Sequence, residues 1–206
     1  MPSQRYRQLS VRISELRNNL LPKKFSPTGN YTSRVHDRTL SFRVLAHAEF
    51  ESFLEERAQE VLNEAFRSWK KNGSASRLLV SLLAYREKIE GEPTSLLAPP
   101  QKRSPDLYAR VDKARDDLYR YIKVQNNGIK EKNLLRILLP LGVEEADIDM
   151  NWLHTVEGWA TQRGETAHVG RKVNWQPDPE QELKKVRMIR DGFRDIDAAL
   201  ARTVGS

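Results

Sequence analysis

Apolar residues recur along this chain with a helical period. Leu9, Ile13, Leu16 and Leu20 fall at i, i+4, i+7 and i+11, one face of a first helix that should end before Pro22. From Lys23 to Asp37, Pro27, Gly29 and several polar residues show no period and predict a loop. A longer helix is predicted from about Arg38 to Trp69, with Val44, Ala48, Leu54, Ala58, Val61, Leu62, Ala65 and Trp69 toward one side, closed by Lys70-Lys71-Asn72-Gly73. Leu78, Leu79, Leu82 and Ile89 mark a third helix. Pro93, Pro99 and Pro100 then make residues 91–105 a connector. A fourth helix carries Leu107, Val111, Ala114, Leu118 and Ile122 between Ser104-Pro105-Asp106 and Asn126-Asn127-Gly128. A fifth spans Asn133 to Leu139. A sixth spans about Asp149 to Gln162, with Trp152, Leu153, Val156, Trp159 and Ala160 inward and Gly164 offering its end. The seventh starts near Asp178-Pro179 and buries Leu183, Val186, Ile189, Phe193, Ile196 and Leu200.

No segment alternates with period two long enough to need a strand, and no repeat of 20–50 residues appears. The expectation is an all-α, up-and-down bundle of about seven helices. One domain over residues 1–206 suffices, with an N-terminal helix and loop over 1–37 and a core bundle over 38–203.

Composition adds exclusions. With 38% hydrophobic and 31% charged residues in 206, the chain can build a core. No stretch approaches the ~20 consecutive apolar residues of a membrane helix. The absence of cysteine removes disulfides, thiolate catalysis and Cys-based zinc sites. The basic N-terminus lacks the apolar region of a secretory signal, so a cytoplasmic location is expected. Thirty-five basic against 28 acidic side chains give +7, which favours an anionic partner such as nucleic acid.

The chemistry narrows by elimination. There is no G-x-x-x-x-G-K-[ST], no G-x-G-x-x-G and no G-x-S-x-G. The four histidines, His36, His47, His154 and His168, are too far apart for H-E-x-x-H, so no metal site and no cofactor is expected. What remains is Arg163-Gly164-Glu165-Thr166-Ala167-His168. Arg163 continues the inward series Leu153, Val156, Ala160, where an aliphatic residue would be expected. A guanidinium there needs an anion, either a carboxylate or a phosphate.

In an unbroken helix positions 163 and 168 lie about 140° apart, so both reach one ligand from one chain only if Gly164 lets the backbone turn. With that turn made, an imidazole beside a fixed cation is a metal-free kit for RNA cleavage. The histidine moves the proton of a ribose 2′-OH or of the leaving oxygen, and the arginine stabilises the phosphorane. One histidine cannot do both jobs comfortably, so a symmetric dimer is implied. The plainer alternative is a helix-end arginine on a surface carboxylate beside a solvated histidine.

His47 and Glu51, at i and i+4, fall on the inward stripe of the long helix. Either Glu51 holds Arg163 or orients His168, or His47 and Glu51 satisfy each other at the bundle's edge. His36 and His154 are expected at the surface.

The run Asn126-Asn127-Gly128-Ile129-Lys130-Glu131-Lys132-Asn133-Leu134-Leu135, then Leu139-Pro140-Leu141-Gly142-Val143, then a Trp/Leu helix ending in the R-x4-H pattern, resembles the HEPN superfamily, in particular its RiboL-PSP branch. Residues Phe42 to Leu54 resemble the first core helix of that branch, so the likeness spans roughly 38 to 200. The resemblance implies a helical bundle that dimerises through its motif helices and cleaves single-stranded RNA without metal, often as a toxin or antiviral effector with an antitoxin or defence-system partner. It gives Arg163 and His168 the catalytic roles; beside it, Glu51, His47, Gly164 and Glu165 are expected in support and Arg43, Arg171 and Lys172 as RNA contacts. Gly164 departs from the polar residue that many members place after the arginine. Members silenced by AMPylation carry a tyrosine where this chain has Gly170. The second function class is a non-catalytic HEPN module that binds nucleic acid or scaffolds a partner.

Overall fold

The first helix, α1 (Gln4–Leu20), opens where the Ser3 hydroxyl accepts the Tyr6 N–H at 3.1 Å. It buries Leu9, Ile13 and Leu16, as the spacing predicts, and Tyr6 besides, while Leu20 is only partly buried. The computed structural model describes residues 1–86, 106–169 and 176–205, without the side chains of Arg86 and residues 163–169. The proline-rich connector over 91–105, Ile89 and the pair Arg171-Lys172 lie outside the described residues. All regular structure among the described residues is helical. It comprises α1, α2 (Ser33–Asn72), α3 (Arg77–Arg86), α4 (Leu107–Arg120), α5 (Glu131–Leu138), α6 (Met150–Val169) and α7 (Pro179–Val204). A π-helical turn, Tyr121–Gln125, continues α4, and a short 3-10 turn covers Glu145–Asp147. None of these helices is long and apolar enough to cross a membrane.

The 40-residue α2 is the central element and packs on α1, α3, α6 and α7. It starts at Ser33, five residues before the expected Arg38, because the Thr32 carbonyl already accepts the Val35 and His36 N–H groups. Leu54, Ala58, Val61, Leu62 and Ala65 are buried as expected, but nearer its N-terminus the inward stripe is rotated from the expected one. Phe42, Ala46, Phe50 and Phe53 are buried, whereas Val44 is 40% exposed and Ala48 is exposed. Large aromatic side chains in the stripe take the core and turn the smaller apolar residues outward. Leu107 is exposed as well, since it sits at the first position of α4, where Asp106 caps the helix by accepting the Ala109 N–H at 2.8 Å. The expected cap Asp178 holds the start of α7 in the same way, 2.8 Å from Gln181 N, with Pro179 at the first position.

The deepest packing joins α2, α6 and α7. Phe50 stacks on Phe193 with centroids 5.3 Å apart, and Trp152 meets Phe193 edge-on at 5.3 Å. The Trp152 indole lies against Gly192, where an added Cβ would overlap the ring, and its Nε1–H donates to the Ile189 carbonyl at 3.0 Å. Gly192→Ala should therefore destabilise the fold by roughly 1–3 kcal/mol through overpacking, although alanine is the better helix former. Chemical denaturation would check this, and an unchanged or raised midpoint would contradict the packing.

The 3-10 turn supplies a pH-sensitive clasp. Asp147 accepts the Glu144 N–H at 3.1 Å and the Arg202 guanidinium at 2.7 Å. The backbone hydrogen bond, with help from Arg202 and Arg77, holds its carboxyl below the usual carboxylate range. A lowered folded-state pKa means the contribution is complete above the unfolded value and disappears as pH falls through the folded one. Wild type should thus exceed Asp147→Asn in melting temperature at neutral pH, and the gap should close on acidification.

Candidate active site

The largest difference from the sequence reading lies in α6. The helix does not end at Gln162 or turn at Gly164 but runs on to Val169. A glycine within a helix costs only about 1 kcal/mol, and good helix formers surround this one at Glu165 and Ala167. Positions 163 and 168 therefore share one continuous helix, about 140° apart around its axis and ~7.5 Å apart along it. One backbone thus spreads the two positions around the helix instead of folding them together. The side chains of Arg163, Glu165 and His168 lie outside the described residues.

A buried polar cluster supports α6 just before the motif. Arg43, expected as an RNA contact, is only 1% exposed and cannot serve as one. Its position among aromatic neighbours on the inward face of α2 forces the guanidinium into the bundle. There Nη1 pairs with Glu182 Oε2 of α7 at 2.9 Å. Nη2 donates to the Trp159 carbonyl at 2.6 Å and to Gln162 Oε1 at 3.1 Å. The Trp159 indole N–H donates to the other Glu182 oxygen at 2.6 Å, and the guanidinium lies 5.1 Å from the indole centroid. Burial lowers the Arg43 pKa and raises that of Glu182, and each charge opposes the shift of the other.

His47, one turn along α2, stacks on Trp159 with centroids 5.7 Å apart and planes 20° apart. It is 2% exposed, and its Nδ1 is 3.8 Å from Glu51 Oε2. The structure thus brings the His47 and Glu51 side chains together; contacts of either with Arg163 or His168 lie outside the described side chains. Gly128 lies beside the same ring, and a Cβ added to it would stand 3.6 Å from His47 Cε1. Its φ of 140° is open to glycine but not to ordinary L residues. Of the other histidines, His154 is exposed, and His36 is half-buried with Nδ1 3.1 Å from the Pro177 carbonyl.

Sequence reasoning missed Glu182, Trp159 Nε1 and Gln162 as parts of this cluster. Glu182 was visible in principle, because it lies four and seven residues before Val186 and Ile189 on the inward stripe of α7. Its place in the first turn behind Asp178-Pro179 made it look like an ordinary helix-dipole carboxylate.

An all-helical bundle with an R-x4-H segment on α6 is the arrangement of a HEPN domain. The chain belongs to the RiboL-PSP-HEPN family, whose model matches residues 7–202. No curated protein and no solved structure matches it. HEPN domains have RNase-type or nucleic-acid-related functions and often dimerise.

Proposed function

We propose that this chain is a metal-independent endoribonuclease that cleaves single-stranded RNA in a homodimer, as one HEPN domain spanning 1–206. The observation that carries this reading is Arg163-x4-His168 on α6, inside a family match that covers nearly the whole chain. A net charge of +7 suits an RNA substrate. His168 of one protomer takes the proton from the ribose 2′-OH, and the 2′ oxygen attacks the phosphorus. Arg163 stabilises the dianionic phosphorane, and His168 of the second protomer protonates the departing 5′ oxygen. The products are a 2′,3′-cyclic phosphate and a 5′-hydroxyl. Arg171 and Lys172 guide the strand, Glu165 and the His47–Glu51 pair support the site, and Gly164 lets the motif helix approach its partner. Such an activity fits a cytoplasmic toxin or phage-defence effector, held in check by an antitoxin or working with a defence-system partner.

Incubation of single-stranded RNA with the protein in EDTA should give fragments with 2′,3′-cyclic phosphate ends. Intact RNA, or cleavage only with added divalent metal, would refute the proposal. The unbroken course of α6 favours one second reading, a non-catalytic HEPN module that binds nucleic acid or a protein partner, because positions 163 and 168 of one chain lie about 140° apart around a continuous helix. In that case RNA is bound and recovered whole.

A further inference from the structure

We propose that the Arg43–Glu182 ion pair, closed around Trp159, is a positioning device that sets the rotation of the α6 turn bearing Arg163. The activity part of this inference rests on the nuclease reading above; the structural part does not.

The cluster joins three helices, but cohesion alone does not explain it. Two ions inside a bundle lose their hydration, and apolar side chains of like volume hold helices together as well or better. Apolar contact has no direction, so a helix packed only through Val156 and Ala160 can rotate or slide by small amounts at little cost. Hydrogen bonds to a backbone carbonyl do have direction. Arg43 spends one nitrogen on the Trp159 carbonyl, 2.6 Å away. In a regular α-helix that carbonyl is also the acceptor for the N–H of position 163. The same nitrogen reaches Gln162, the neighbour of Arg163 in the chain. Glu182 anchors the other side by taking the Trp159 indole N–H and the second guanidinium nitrogen. His47 stacked on the indole stops the ring from tilting. Trp159 is thereby fixed through its carbonyl, its ring nitrogen and its ring face, four residues before the motif arginine. Gly164 follows directly after that arginine, where the helix is intrinsically weakest, so an external fix is most useful just upstream.

Arg43 and Glu182 are buried, at 1% and 3% exposure, so they act through α6 and not on RNA. The double variant Arg43→Met/Glu182→Leu keeps the volume and removes the directed bonds, and Trp159→Phe removes only the indole donor. Hydrogen exchange of backbone amides 159–167 and steady-state cleavage would be measured on both, with circular dichroism to confirm folding. Amide exchange in that segment is expected to quicken about tenfold over wild type while α2 stays protected. The double variant should lose up to about a hundredfold in kcat with KM little changed, since displaced groups act on the transition state. Unchanged exchange at 159–167 in a folded double variant overturns the inference, whether or not the wild type cleaves RNA. So does faster exchange with kcat intact. If the double variant does not fold, Trp159→Phe decides by the same two readouts. A wild type that cleaves nothing overturns the nuclease reading instead, and the exchange measurement then decides the positioning role alone.

Discussion

Replacing His168 by alanine is expected to lower RNA cleavage by about 10²–10⁴-fold, the usual worth of general acid–base catalysis. The effect should sit near the upper end, because in a symmetric dimer one substitution removes both the base that takes the 2′-OH proton and the acid that serves the leaving oxygen. Binding should persist, since the basic side chains proposed to guide the strand remain. Gel-based cleavage assays over a wide range of enzyme concentration, with circular dichroism and size-exclusion chromatography on the same preparation, separate lost chemistry from lost structure. Cleavage at wild-type rate by a folded His168→Ala dimer would end the catalytic assignment. Arg163→Ala should cut the rate as well, by withdrawing the cation from the phosphorane.

Arg43→Met by itself is expected to destabilise the fold by roughly 3–5 kcal/mol, the cost of leaving one partner of a buried pair without its counter-charge. The stranded group is Glu182, already pushed upward in pKa by burial and held back chiefly by Arg43. Without Arg43 the carboxyl moves further up. A raised folded-state pKa leaves stability complete below the unfolded carboxylate value and removes it as pH rises through the folded one. The penalty should therefore be modest in acid, where Glu182 is neutral, and reach its full size at neutral pH. Urea unfolding of Arg43→Met and wild type at both pH values measures it. Equal stability at neutral pH would mean that the pair is not buried as the geometry requires. The charge-free double variant should recover much of the loss, because no lone ion is then left inside.

These two substitutions also mark what sequence reasoning can single out and where it fails. His168 could be singled out from spacing and context, because a titratable group five positions after an arginine at the end of an apolar helix needs no coordinates to notice. Arg43 was misplaced as a surface contact. Its neighbour Val44 suggested an apolar face beside it, but Val44 is 40% exposed, and the arginine is what points inward. Hydrophobic periodicity ranks positions by side-chain chemistry, so it cannot find a charge buried against another charge on a helix 139 residues away. The same limitation hid Glu182. The end of α6 was misread for a different reason. Glycine weakens a helix without forbidding it, and neighbouring turns decided the outcome.

What the sequence by itself determined is the helical architecture, the helix starts at Asp106 and Asp178, the apolar stripes of α6 and α7, and the R-x4-H segment. All of these follow from local backbone preference or from a repeat of 3.6 residues. Only the tertiary structure decided that α6 continues past Gly164, that α2 turns Arg43 inward, and that Glu182 meets Arg43 around Trp159. Those outcomes depend on which face of one helix wins the space beside another. That competition is settled by shape, desolvation and directed hydrogen bonds between residues far apart in the chain.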